Sequence, residues 1–238
     1  MSLAAVEVPN NIAFTDELAL LNDFYDQENA EVILEYALSQ FQDKISLVSS
    51  FGADSAVLLR MIADLAPNTP VLFLDTGFHF SETLEHRDQL IAQLGLTNVQ
   101  SLHAQPNILS MRDPINRLHR EDPDSCCEIR KTSVLQEALL PYTAWISGRK
   151  RFQTKHRQEL KVFELDREMR IKVNPLAAWT ASDVDLYLEK NNLPRHPLWD
   201  MGYRSVGCEP CTAPSFDSED ARAGRWAGCG KTECGIHL

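Results

Sequence analysis

The chain of 238 residues holds six cysteines, and four of them fall in two pairs. Cys126 and Cys127 are adjacent, and 80 residues separate Cys127 from Cys208, which forms a CxxC with Cys211. Four thiolates drawn from two places can hold a zinc ion or an iron–sulfur cluster. Zinc ribbons mostly use two CxxC pairs, because a tight turn then presents two sulfurs tetrahedrally. Neighbouring side chains diverge on a helix or strand. Cys126-Cys127 is therefore an awkward zinc donor and suits a larger, multi-metal ligand. The competing interpretation is two buried thiols and a chance CxxC.

Cys234 lies in Lys231-Thr-Glu233-Cys234-Gly-Ile-His237, with Arg222 and Arg225 upstream. Nearby cations lower a thiol's pKa, and Glu233 works the other way. The last 17 residues contain four glycines and little periodicity, so they read as a mobile, closing flap. A cysteine on such a cationic flap is a candidate nucleophile. The alternative is a spare terminal thiol.

The elements that must position these residues alternate. Asn29 is a plausible N-cap for a helix carrying Val32, Ile33, Tyr36, Ala37 and Phe41 at helical spacing. Ile45 to Val48 reads as a buried strand, followed by Ser49-Ser50-Phe51-Gly52-Ala53-Asp54-Ser55 and an apolar helix from about Ala56. Strand, small-residue loop and helix N-terminus together make an anion site of backbone N–H groups. Gly52 permits close approach, and no Gly-Lys-Ser/Thr marks a Walker loop. Pro70 to Leu74 is a second strand ending in Asp75-Thr76-Gly77, Ser81 caps a helix to Leu94, and Val99 to Leu102 and Ala144 to Ile146 are further strands. This alternation implies an α/β fold, a doubly wound, mainly parallel sheet with its functional loops on one edge. His79 and His86 near that edge have no partner at ligand spacing.

A helix is expected from Glu128 to Leu139, placing Cys126 and Cys127 near its N-terminus, with Arg130 and Lys131 close enough to offset thiolate charge. Gly148 to Arg157 follows a strand end and holds six basic residues in ten, counting His156. Phe163 to Val173 reads as a hairpin, and Thr180-Ala-Ser-Asp183 as a capping box.

Twenty-three basic against 34 acidic residues give a net charge of −11, which argues against a general binder of nucleic acid or anionic membranes. Any anionic ligand must meet basic residues gathered locally. There is no run of 18 apolar residues and no basic-then-apolar leader, so a cytoplasmic location is expected. In a reducing compartment the cysteines read as ligands or catalysts rather than disulfides.

Taken in order, Ser50-Phe-Gly-Ala-Asp-Ser55, Leu74-Asp-Thr-Gly77, Cys126-Cys-Glu-Ile-Arg-Lys131, the Gly148–Arg157 loop, Cys208-x-x-Cys211 and Lys231-Thr-Glu-Cys-Gly-Ile-His237 resemble the assimilatory phosphosulfate reductases, specifically the bacterial adenylyl-sulfate (APS) reductases. The resemblance runs from about Ser46 to His237. It implies an adenine-nucleotide α-hydrolase-like (PP-loop) fold in three parts: an N-terminal helical segment at 1–44, a nucleotide- and cluster-binding α/β domain at 45–215, and a mobile catalytic tail at 216–238. It implies one [4Fe–4S] cluster per subunit on Cys126, Cys127, Cys208 and Cys211, a feature that goes with APS rather than its 3′-phosphorylated form, PAPS. Cys234 matches the catalytic nucleophile. Lys131 matches the lysine between cluster and substrate, and Arg222, Arg225 and His237 match contacts to the sulfate end. Ser50, Gly52, Asp54, Ser55, Asp75, Thr76, Gly77, Gly148, Arg149 and Arg157 complete the expected substrate site.

The implied activity is reduction of APS to sulfite and AMP in sulfate assimilation, through a cysteine S-sulfonate that thioredoxin or a related dithiol protein discharges. A homo-oligomer is the expected assembly, with neither nucleic acid nor membrane as partner. Reduction of PAPS, or of both nucleotides, is the alternative enzyme. An ATP-using PP-loop enzyme is a third reading, against which the loop lacks the extra Gly and Lys of a fuller form. A non-enzymatic metal module is a fourth. Cys229, in a Gly-Cys-Gly context outside the family pattern, reads as idle rather than as a disulfide partner of Cys234.

Overall fold

The structure is a computed structural model that describes residues 11–216, 220–226, 231 and 233–237. Cys229 lies outside them. Six strands form one sheet in the order β3-β2-β1-β4-β6-β5: β1 (Ile45–Val48), β2 (Val71–Asp75), β3 (Val99–His103), β4 (Ala144–Ile146), β5 (Phe163–Leu165) and β6 (Ile171–Val173). All neighbours pair in parallel except β5 with β6, the expected hairpin.

Strand side chains alternate between faces, and both faces of β1, β2 and β4 are buried, whereas the edge strand β3 is partly exposed. Ile45, Leu47, Val71, Phe73, Ala144 and Ile146 enter one core with α2 (Ala30–Phe41) and α3 (Ser55–Leu65). Leu72, Leu74 and Trp145 enter a second core on the other face. Helices on both faces of a mainly parallel sheet make the expected doubly wound architecture. Residues such as Leu47 and Leu59 are 1% exposed or less, and truncating a side chain of that kind to Ala costs about 2–5 kcal/mol.

The remaining helices are α1 (Asn11–Tyr25), α4 (Ser81–Leu94), α5 (Pro106–Arg112), α6 (Leu118–Glu121), α7 (Pro123–Cys127), α8 (Ser133–Ala138) and α9 (Ala181–Lys190). α9 begins at the expected capping box: the Thr180 hydroxyl accepts from Asp183 N at 3.2 Å, and the Asp183 carboxylate accepts from Thr180 N at 2.7 Å. Asn29 is the N-cap of α2, but its side chain makes no capping bond. Ser81 is the first residue of α4 rather than its cap, which is Phe80.

The cysteine helix departs from expectation. It starts at Pro123, not Glu128, because Asp122 caps it through Ser125 N (3.0 Å) and Pro123 fits the first turn, where no N–H is needed. Cys126 and Cys127 therefore sit on the helix. A π turn, Glu128–Thr132, joins α7 to α8 without a break. Such turns are rare and commonly mark functional places.

Candidate active site

Strand order reverses between β1 and β4, so the loops leaving those two strands open a crevice at the switch point. The first is the Ser49–Asp54 loop. Phe51, fully buried, has φ +48, a left-handed backbone unusual for a bulky residue. Its N–H donates to Ser49 Oγ at 3.2 Å, and its ring meets Phe73 edge-on. A Cβ on Gly52 would lie 3.2 Å from the Val206 carbonyl oxygen, so glycine lets the 204–208 segment close over the loop.

The second loop, Ser147–Lys150, turns inward despite its charge. Lys150 is 1% exposed, and its ammonium donates to Asp54 Oδ2 at 2.9 Å and to the Gly148 carbonyl at 3.2 Å. Arg149 pairs with Glu164 of β5. Arg157 donates twice to Glu233, at 2.6 and 2.8 Å. Arg149, Lys150 and Arg157 of the basic run are thus buried in ion pairs, while Lys155 and His156 stay exposed.

The tail packs over this crevice. A Cβ on Gly224 would sit 2.0 Å from the Ala213 carbonyl oxygen, so the two strands of chain touch there. Trp226 N–H donates to the Cys211 carbonyl at 2.9 Å, and Trp226 packs with Cys127 and Cys234 in one buried cluster. Ile236 reaches the second core, and His237 stacks on Trp145 with rings 6.0 Å apart. Burial, reinforced by Arg149 and Arg157, holds the His237 imidazole well below its ordinary pKa, so it is neutral among cations.

Twelve of the expected site residues line one pocket: Ser50, Gly52, Asp54, Ser55, Lys131, Gly148, Arg149, Arg157, Arg222, Arg225, Cys234 and His237. Asp75, Thr76 and Gly77 are not in that lining. Asp75 closes its own turn by accepting from Gly77 N at 3.0 Å, and Thr76 faces the cysteines instead. Buried nitrogens without a hydrogen-bond partner among the described residues include Arg149 Nε, Arg225 Nε and His237 Nδ1, all on residues lining the pocket. The two unmet guanidinium donors suit an anion.

Cys126, Cys127, Cys208 and Cys211 line a second, smaller cavity, together with Thr76, Arg130 and Lys131. Three of the four thiols are buried and Cys211 is half-buried. Thr76 Oγ1 and Cys208 Sγ are 3.3 Å apart, within hydrogen-bond reach. Burial, then the neighbouring Cys127, pushes the Cys126 thiol up to about 12. Burial works against ionisation of Cys208 as well, but Lys131 and Thr76 outweigh it and lower its pKa. Lys131 lines both cavities. Burial alone would depress its ammonium, but Cys208 and then Cys234 raise it, so it stays charged. Among the described residues, no three His, Cys, Asp or Glu side chains converge as on a single metal ion; the sulfurs surround a cavity.

The chain has counterparts among known proteins. The phosphoadenosine phosphosulfate reductase domain model matches residues 44–214. The chain belongs to that family. An adenosine 5′-phosphosulfate reductase of Chelativorans sp. (strain BNC1) is 53% identical over 90% of this chain and 88% of its own. A phosphoadenosine 5′-phosphosulfate reductase of Gloeobacter violaceus is 45% identical over 87% and 88%. In fold, a Candida auris phosphoadenylyl-sulfate reductase superposes with TM-score 0.73 at 23% identity, covering 88% of this chain and 100% of that one. A Candida glabrata FMN adenylyltransferase does so with TM-score 0.55 at 18% identity, over 88% and 69%. The phosphosulfate reductase sheet here is thus of the PP-loop type that the sequence implied.

Some functional groups carried weak sequence signals. Lys150 sits in the basic run, but nothing local says that it is the buried one. Arg130 donates to Asp113 (2.8 Å), Asn116 (2.8 Å) and the Thr76 carbonyl (3.0 Å), partners far along the chain. Glu233 reads in sequence only as an opposing charge beside Cys234, and its guanidinium partners become visible in three dimensions.

Proposed function

We propose that this phosphosulfate reductase reduces adenylyl sulfate to sulfite and AMP, with Cys234 as nucleophile. The observation that carries the reading is that Cys234 lines the same pocket as the Ser49–Ser55 loop and the cations Lys131, Arg222 and Arg225. The loop and the α3 N-terminus offer N–H groups to the nucleotide's phosphate. The cations and the unmet Arg149 and Arg225 Nε donors suit the sulfate end.

The chemistry balances with thiols alone. The Cys234 sulfur attacks the sulfate sulfur, the S–O bond to phosphate breaks, and AMP leaves with that bonding pair. Cys234 becomes an S-sulfonate. A dithiol protein such as thioredoxin then attacks the Cys234 sulfur and releases sulfite; its second thiol frees Cys234 and leaves the disulfide. The two electrons come from the dithiol. Lys131, Arg222 and Arg225 reduce repulsion between thiolate and sulfate and offset charge in the transition state. The Cys234 flank moves between the closed position and one open to the dithiol.

The four cysteines fit a [4Fe–4S] cluster: the donors are soft thiols enclosing a cavity, with Arg130 and Lys131 beside them. Cys126, Cys127, Cys208 and Cys211 would hold it, and it would supply there a fixed charge next to Lys131. Iron and acid-labile sulfide in anaerobically purified protein are the expected analysis; a single zinc without sulfide would reject the assignment. Cys234→Ser is expected to abolish sulfite formation from APS and thioredoxin; sulfite formation that survives would remove the mechanism. Relative rates with APS and PAPS test the substrate, and a preference for PAPS would overturn its assignment.

A further inference from the structure

Cys234 is held in the pocket through the residue before it. The Glu233 carboxylate receives Arg157 Nε at 2.6 Å and Nη2 at 2.8 Å, one on each oxygen, and Arg222 Nη2 at 3.3 Å. The pair is well shielded: the side chains of Arg157 and Glu233 are 6% and 12% exposed. Fork-on-carboxylate pairs of this kind are the strong, orienting ones. Burial alone would raise the Glu233 carboxyl, but Arg157 and Arg222 outweigh it, so it is ionised.

The other basic residues of the loop differ in one respect. Arg149 and Lys150 take partners from the sheet domain, Glu164 of β5 and Asp54 of the β1 loop. Arg157 takes its carboxylate from the tail, next to the candidate nucleophile. A contact between Arg157 and substrate would have to compete with that pair, whereas a contact to Glu233 fixes where Cys234 sits.

We propose that Glu233 is a positioning residue, a clasp on Arg157 and Arg222 that seats Cys234 in the pocket for attack and must open before a dithiol protein can reach the adduct. Arg157 is then the receptor of the clasp rather than a direct ligand of substrate. The inference rests on the reading of Cys234 as nucleophile.

The test follows Cys234 itself in the full-length protein. Alkylation by iodoacetamide, mapped by mass on the peptide bearing Cys234, is expected to be about tenfold faster in Glu233→Gln, the scale of a lost charge-assisted pair. Arg157→Gln is expected to match it, and the double variant to go no faster than either single. With APS, the Gln variant is expected to form the adduct about tenfold more slowly while dithiol discharge of preformed adduct becomes faster, an opposed pair of effects that loss of substrate binding alone would not give. Glu233→Asp keeps the charge and should fall between; it serves if the Gln variant does not fold. Unchanged alkylation in Glu233→Gln, or singles whose effects multiply in the double variant, would overturn the clasp. The alkylation arms need no APS. They separate failure of the clasp from failure of the proposed activity.

Discussion

Arg130 shows what a single side chain does beside the cysteine cavity. Its guanidinium is buried against the Asp113 carboxylate, with side-chain exposures of 6% and 2%, and lies 4.4 Å above the Phe78 ring. Arg130→Ala would leave Asp113 charged and unpaired in the interior, and a loss of about 3–5 kcal/mol is expected. A shifted urea midpoint would show it; a loss below about 1 kcal/mol, the range of an exposed pair, would contradict it. At this scale the sequence was legible where one stretch carries its own chemistry, as in Cys208-x-x-Cys211 and Cys234. It was not legible where partners meet from afar, because Arg130 and Asp113, or Arg157 and Glu233, share no local pattern.

The element that matters most is the helical run from α7 through the π turn to α8. The π turn sets the rotation between the cysteine-bearing turn and Lys131, and its Thr132 meets the tail at Gly235, where an added Cβ would lie 2.9 Å from Thr132 Oγ1. Deleting Glu128 should regularise the helix and rotate Cys126 and Cys127 by about 100° relative to α8. Loss of bound iron and acid-labile sulfide is expected, with far-ultraviolet circular dichroism preserved. Full retention of both would show that the π turn does not set the cysteine placement. Strands were readable because apolar runs such as Ile45–Val48 and Ala144–Ile146 stand between polar loops. The helix start was misplaced because Asp122-Pro123, an N-cap followed by proline, carried the signal and the apolar pattern did not. The π turn has no sequence signature of its own.

Across the molecule, the net charge of −11 coexists with a cationic pocket because the acidic residues lie mostly elsewhere. Among the described residues no helix is long and apolar enough to cross a membrane. Buried imidazoles contribute to the acid response. His86 and His196 are each 1% exposed with rings 5.1 Å apart, and burial pushes both down to about 4. Their folded pKa lies below the unfolded 6.5, so the unfolded chain binds more protons in that window. Their stabilisation is present above pH 6.5 and is lost as pH falls through 4, by about 2–3 kcal/mol per ring. Urea midpoints between pH 7 and 4 should fall, and less steeply in His86→Phe; an unchanged slope in the variant would contradict this origin. The fold class was legible at this scale from strand–helix alternation, whereas the docking of the tail depends on Trp226, Ile236 and Trp145 meeting across the chain.

The most direct test is a single turnover of reduced protein with APS and no dithiol, followed by mass analysis of the peptide bearing Cys234. One SO3 group on Cys234 and one AMP released per chain are expected, with sulfite appearing only when a dithiol is added. AMP release with an unmodified Cys234, or sulfite formed without any dithiol, would contradict nucleophilic attack by this residue.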